Sequence, residues 1–207
     1  LSRTPVDNAL ALARACPSGA RLHLLTHGTG GLVAEVLARA AAWPQQPGKT
    51  EEELADTPLR ALALELQARG LHVERVVRVA CPARGQNFAS GRLDAYLSIF
   101  GWVARSAGVT LPLATDQLLL EATRQRIEPA ALPGLAAALP SSGLLRWLPA
   151  VDEPVPGSLR VIAGTAPGAS TLGAWLRQLM ADSFSWTDND LLVPTRSMFG
   201  GVPRQGG

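Results

Sequence analysis

Residues 21–26 read Arg-Leu-His-Leu-Leu-Thr, a short apolar run cut off by the glycine-rich turn Gly28-Thr29-Gly30-Gly31. A strand is expected there. Leu32, Val33, Val36, Leu37 and Ala40 follow at the spacing of one helical face and stop near Trp43-Pro44, so the unit is strand, sharp turn, helix. A polar link over 45–49 leads to a second helix, with Thr50 as its cap and Glu53 at the capping-box position. Leu59, Leu62 and Leu66 supply its buried stripe, and Gly70 ends it. Residues 73–80 carry Val73, Val76, Val77 and Val79, β-branched side chains that suit a second strand.

Leu93, Tyr96, Leu97, Phe100 and Val103 mark a third helix. Between 110 and 156 the pattern breaks into short leucine-rich pieces punctuated by seven prolines from Pro112 to Pro156, with one clear helix near 116–126. This stretch reads as a helical insertion, a candidate lid or cap. Residues 159–163 form a third apolar strand closed by Gly164, and Leu172, Trp175, Leu176, Leu179 and Met180 give another amphipathic helix. Nearly continuous apolar strands alternating with helices predict an α/β fold with a mainly parallel sheet covered by helices on both faces. Chemistry in such a sheet sits at the carboxyl ends of the strands, so the residues after Thr26, Ala80 and Gly164 are the places to look.

Composition narrows the classes. Of 207 residues 47% are hydrophobic and 17% charged, which rules out a wholly disordered chain. Nineteen basic against 17 acidic residues, with no basic run, offer no phosphate-tracking stripe and argue against a nucleic-acid partner. Only Lys49 is lysine, and with the heavy Ala and Leu usage this fits a GC-rich bacterial coding sequence. Cys16 and Cys81 are too few for a disulfide framework and lack the spacing of a metal or redox pair. No apolar run approaches the roughly 18 residues of a membrane span. Residues 1–7 lack the charged start and apolar stretch of a signal peptide, so a cytoplasmic setting is expected. The first residue is Leu1 and the last two are Gly206 and Gly207, as in a piece of something longer.

The turn Thr26-His27-Gly28-Thr29-Gly30 has the layout of a nucleophile elbow, G-x-S-x-G. The elbow residue is strained, and its neighbours two before and two after must be small for the helix to pack on the strand; Thr26 and Gly30 occupy those places. The segment T-H-G-T-G-G-L-V-A-E-V-L-A resembles the elbow region of bacterial lipase- and esterase-like α/β-hydrolases, typically H-S-x-G-G-L-V. Ala80-Cys81-Pro82-Ala83-Arg84-Gly85 is similar to their P-x-x-G-[TS] turn, with Gln86 at the hydroxyl position. Asn189-Asp190-Leu191-Leu192-Val193-Pro194 is similar to their N-D-G-x-V-P turn.

The resemblance implies an α/β-hydrolase-like fold and ester hydrolysis by a Ser-His-Asp triad acting on a small-molecule ester or acyl substrate. It assigns Asp190 to the acid position, with Asp188 as fallback, and the Thr29 backbone N–H to the oxyanion hole; His27 and Gly30 flank the elbow. Gly28 stands at the nucleophile position and has no side chain to attack with. No histidine follows Asp190; the chain has His23, His27 and His72. Residues 1–207 then form a single partial domain, incomplete at both ends, lacking the family's first strands and its final strand and helix. No cofactor and no metal are implied. Three readings of Gly28 stay open: a natural pseudoenzyme, an inactivating substitution, or a nucleophile elsewhere, for which Thr29 and Cys81 are poor candidates.

Other classes are weighed beside this one. His23, His27 and His72 are also ordinary packing residues, Arg84 an ordinary solvated arginine, and Trp102, Trp147, Trp175 and Trp186 ordinary core. Gly28-Thr29-Gly30 resembles a dinucleotide fingerprint, yet position 33 is Val33 and Glu51, Glu52 and Glu53 open a helix instead of ending a strand. Residues 164–170 lack the lysine of a phosphate loop. The alternative function is a non-catalytic ligand- or protein-binding module of a larger bacterial protein.

Overall fold

The computed structural model describes residues 3–43, 58–85, 132–164 and 195–206. Helix α1 (Pro5–Ala15) opens on a capping box: the Thr4 hydroxyl accepts from the Asp7 N–H at 3.1 Å, and the Asp7 carboxylate accepts from the Thr4 N–H at 3.1 Å. This supplies partners to N–H groups that a helix leaves orphaned at its start. Strand β1 (Arg21–His27), helix α2 (Gly30–Ala42), helix α3 (Pro58–Arg69) and strand β2 (His72–Val79) follow. Gly70 ends α3 at φ +61, and Leu71 N–H reaches the Leu66 carbonyl at 2.9 Å while Gly70 N–H reaches that of Gln67 at 3.0 Å. That pair of bonds is the Schellman closure, which needs a left-handed residue and so favours glycine.

Two short helices, α4 (Pro133–Ala136) and α5 (Gly143–Trp147), precede strand β3 (Val155–Ile162). A 3-10 turn over Thr195–Met198 leads to strand β4 (Arg204–Gly206). The four strands lie in the order β1-β2-β3-β4 and every pair is parallel. The α/β class with a parallel sheet is therefore present.

The register pairs Thr26 with Arg78 and Arg78 with Val161. Since side chains alternate along a strand, Leu24, Thr26, Val76, Arg78, Leu159 and Val161 share one face. Helix α2 lies on that face, because its Glu35 meets Arg78, and α1 and α3 pack in turn on α2. Leu32, Val36, Leu37, Leu62, Leu66 and Val76 make the centre of the core. Among the described residues the opposite face carries Leu25, 77% exposed, and Ile162, 52% exposed. The helices predicted from Leu93, at 116–126 and from Leu172 lie outside the described residues, as does the predicted cap at Thr50.

Several boundaries differ from the sequence reading. Strand β2 stops at Val79, one residue early, because Ala80 turns to φ +49. Strand β3 begins at Val155, four residues before the predicted start and inside the stretch read as an insertion. Gly157 permits this: it sits at φ +93 in a register shift, where a Cβ would stand 2.7 Å from the Val73 carbonyl oxygen. Helix α1 and strand β4 were not predicted. Of the 110–156 stretch, residues 132–150 place Leu135, Ala138, Leu145 and Leu148 in the same core as α2. The Arg39 guanidinium of α2 lies 3.8 Å over the Trp147 ring and donates to the Ala150 carbonyl at 2.7 Å, fastening this segment down. Burial, opposed by Asp152, pulls Arg39 down to about 10, so it stays charged at neutral pH.

Candidate functional site at the strand carboxyl ends

Parallel pairing brings the three predicted strand ends side by side. Gly28 N–H donates to the Val79 carbonyl at 3.0 Å, and Ala80 N–H donates to that of Ile162 at 3.1 Å. The Thr195 hydroxyl donates to the Gly164 carbonyl at 3.1 Å, which returns the chain to the end of β3 five residues after Asp190. Arg84 N–H then donates to the Ser197 carbonyl at 2.9 Å, and the Ser197 hydroxyl donates to the carbonyl of Gly85. The turn after β2 and the segment 195–201 are thus laced together.

Gly28 joins β1 to α2 at φ +56, in the left-handed region. A Cβ there would meet no heavy atom within 4 Å, so there is open space for a side chain. Thr29 caps α2 with helical backbone and is exposed, as is His27. At Gly30 a Cβ would stand 4.0 Å from that of Thr26, ordinary contact between the two small residues flanking the turn. Gly31 is the crowded position: its Cβ would lie 2.7 Å from the Cβ of Cys81 and nearer still to the sulfur. Cys81 is buried, and desolvation pushes its thiol up to about 12, so it holds no thiolate at neutral pH and packs against helix α2. Asp188 and Asp190 lie outside the described residues.

Beneath the turn is a cluster that the sequence reading missed. Glu35 on α2 is fully buried, with Oε1 3.2 Å from Arg78 Nη1 and 3.3 Å from Arg204 Nη2, and with Oε2 accepting from Val202 N–H at 2.8 Å. Arg78 is also fully buried and donates through Nη2 to the Gly200 carbonyl at 2.7 Å. Burial lowers the Arg204 guanidinium from its usual value, and Glu35 opposes the shift. The signal was legible as two lone charges in apolar runs, V-A-E-V-L in the helix and V-V-R-V in the strand.

A depression of about 960 Å³ opens at the other end of the strands, lined in part by Arg21, His72, Glu74 and Ser158. With β1 rising roughly 3.3 Å per residue, it lies about 20 Å from Gly28. Ligands of open α/β sheets bind at the carboxyl ends, so the turn at Gly28 is the better candidate. Among the described residues no three His, Cys, Asp or Glu side chains converge as metal ligands, and no helix is long and apolar enough to cross a membrane. Comparison with protein-family models, curated proteins and solved structures returned no significant match.

Proposed function

We propose that the chain is a lipase/esterase-type α/β-hydrolase-like domain whose nucleophile position is vacant, and that it binds an ester or acyl group without hydrolysing it by the serine route. The observation that carries this reading is Gly28: a left-handed residue between a parallel strand and a helix, with open space where a side chain would project. An elbow serine occupies such a strained turn so that its hydroxyl stands clear of the sheet. The Thr29 N–H at the start of α2 would face an oxyanion there, an interaction worth about 3 kcal/mol to a transition state in comparable sites. Asp190 is the acid position by its motif. Without a nucleophile such a site retains at most the acceleration of its oxyanion hole and binding, on the order of 10³–10⁴ over water.

The test is Gly28→Ser in the full-length protein, assayed beside the parent with short- and medium-chain esters. Hydrolysis only in the serine form is the expected result. Equal activity in both forms would remove the role given to the elbow. A folded Gly28→Ser protein that neither hydrolyses these esters nor binds them would favour the second reading, a binding module with no hydrolase chemistry, which the missing side chain at Gly28 also fits.

A further inference from the structure

We infer that Glu35 and Arg78 are positioning residues for the turn at Gly28, forming the joint that sets the elbow helix against the segment 195–206; this rests on the elbow reading above. Three elements meet at the joint. Arg78 starts on β2, and its Cδ passes 3.4 Å from where a Gly31 Cβ would stand, under the first turn of α2. Its Nη1 then meets Glu35 on the next turn of the helix at 3.2 Å, and its Nη2 holds the Gly200 carbonyl at 2.7 Å. Glu35 returns to the same segment by accepting from Val202 N–H and facing Arg204.

Two glycines make the approach feasible. A Cβ on Gly201 would stand 2.5 Å from Arg78 Nη1 and 2.7 Å from Glu35 Oε2, and Gly31 is closed off by Cys81. The joint therefore has a close-fitting wall on the elbow side and another on the 195–206 side. Any displacement of Glu35 moves the helix that begins at Gly30 relative to the strand end that begins the turn. A shorter or uncharged side chain at 35 loses either the reach to Arg78 or the ionic contact with it.

The test places a thiol at the elbow. In Cys16→Ser/Gly28→Cys protein, the rate at which iodoacetamide alkylates the introduced thiol is followed against pH by peptide mass spectrometry, with circular dichroism as the check on folding. A thiol at a helix N-terminus titrates below the ordinary value of about 8.5. Adding Glu35→Gln separates two modes of action by sign. If Glu35 acted only through its charge, its removal would leave two guanidiniums unopposed and lower the pKa of the elbow thiol. If it positions the turn, that pKa rises toward the ordinary value, and the whole alkylation profile of a thiol reacting as its thiolate moves to higher pH by the same amount.

Glu35→Asp, which keeps the charge and shortens the reach, is the second variant and decides the matter if Glu35→Gln does not fold. A rise in both is expected. A fall in Glu35→Gln, or no change in folded Glu35→Asp, would overturn the joint while leaving the elbow intact. An ordinary titration of the elbow thiol in the protein that retains Glu35 would instead overturn the elbow reading itself.

Discussion

Two carboxylates each face two basic side chains, one at either end of the strands. Glu35 sits near the carboxyl ends with Arg78 and Arg204, fully buried. Glu74 sits near the amino ends with Arg21 and His23, its side chain 29% exposed and its partners more so. On paper the clusters are alike. Their physical consequences are opposite, because water screens the Glu74 group and leaves little net stabilisation, whereas Glu35 has been stripped of water and depends on its partners. The buried cluster ties α2, β2 and the 195–206 segment into one unit, and the exposed cluster decorates a surface.

The largest effect expected from breaking this contrast is at Glu35. Glu35→Ala strands two guanidiniums and the Val202 N–H in the core and should cost about 3–5 kcal/mol, read as a shifted urea midpoint. A near-normal midpoint would show that burial is not what separates the two clusters. Next comes Gly31→Ala. Alanine gains up to about 1 kcal/mol of helix propensity over glycine, but the crowding against Cys81 costs about 1–3 kcal/mol, so a net loss is expected. Adding Cys81→Ala should not restore the loss, since the two Cβ atoms would still be 2.7 Å apart.

Cys81 itself reports the dryness of the buried end. Because its folded value is raised to about 12, its contribution to stability is complete below the ordinary thiol value and is lost as pH climbs from there toward 12. A serine there should remove that part of the alkaline fall in urea midpoint. In the native protein, iodoacetamide should modify the half-exposed Cys16 well before Cys81.

The smallest effect is expected at Glu74. Hydrogen bonding from Arg21 holds its carboxyl below the usual value, so its contribution is present above the unfolded carboxyl value and lost as pH falls through the folded one. Glu74→Gln should slightly flatten the acid limb of stability, and added salt should erase the difference between variant and parent. A Glu74→Gln loss as large as that of Glu35→Ala, or one indifferent to salt, would abolish the comparison.

What could be read in advance follows the same divide between local and distant causes. The unit from β1 through β2 was legible because apolar runs, a glycine turn, a helical stripe and Gly70 all act over a few residues. Helix α1 is equally local in origin, Thr4-Pro5-Val6-Asp7 being a cap followed by a proline at the first turn, but the face it buries, Pro5, Ala9 and Ala13, gives only a weak apolar stripe. Strand β4 had no such signal: Arg-Gln-Gly is neither apolar nor β-branched, and it is a strand only because β3 offers an edge to pair with. The start of β3 was hidden by Pro154 and Pro156, which punctuate a surface loop as readily as an edge. At the site, the layout around Gly28 could be foreseen from spacing alone. Which arginines Glu35 would meet could not, since Arg78 and Arg204 reach it only through the sheet order.

The 167 positions separating Glu35 from Val202 also bear on how the molecule is born. At a synthesis rate of about 5–20 residues per second, roughly 8–33 s pass between the appearance of the carboxylate and that of the amide it must accept. Through most of that interval helix α2 has an acid on its apolar side with Arg78 as its one partner among the three it will have, and Arg78 still lacks the Gly200 carbonyl. The contacts that hold helix α2 against Arg78 and the 195–206 segment are thus completed only once residues 200–204 have emerged.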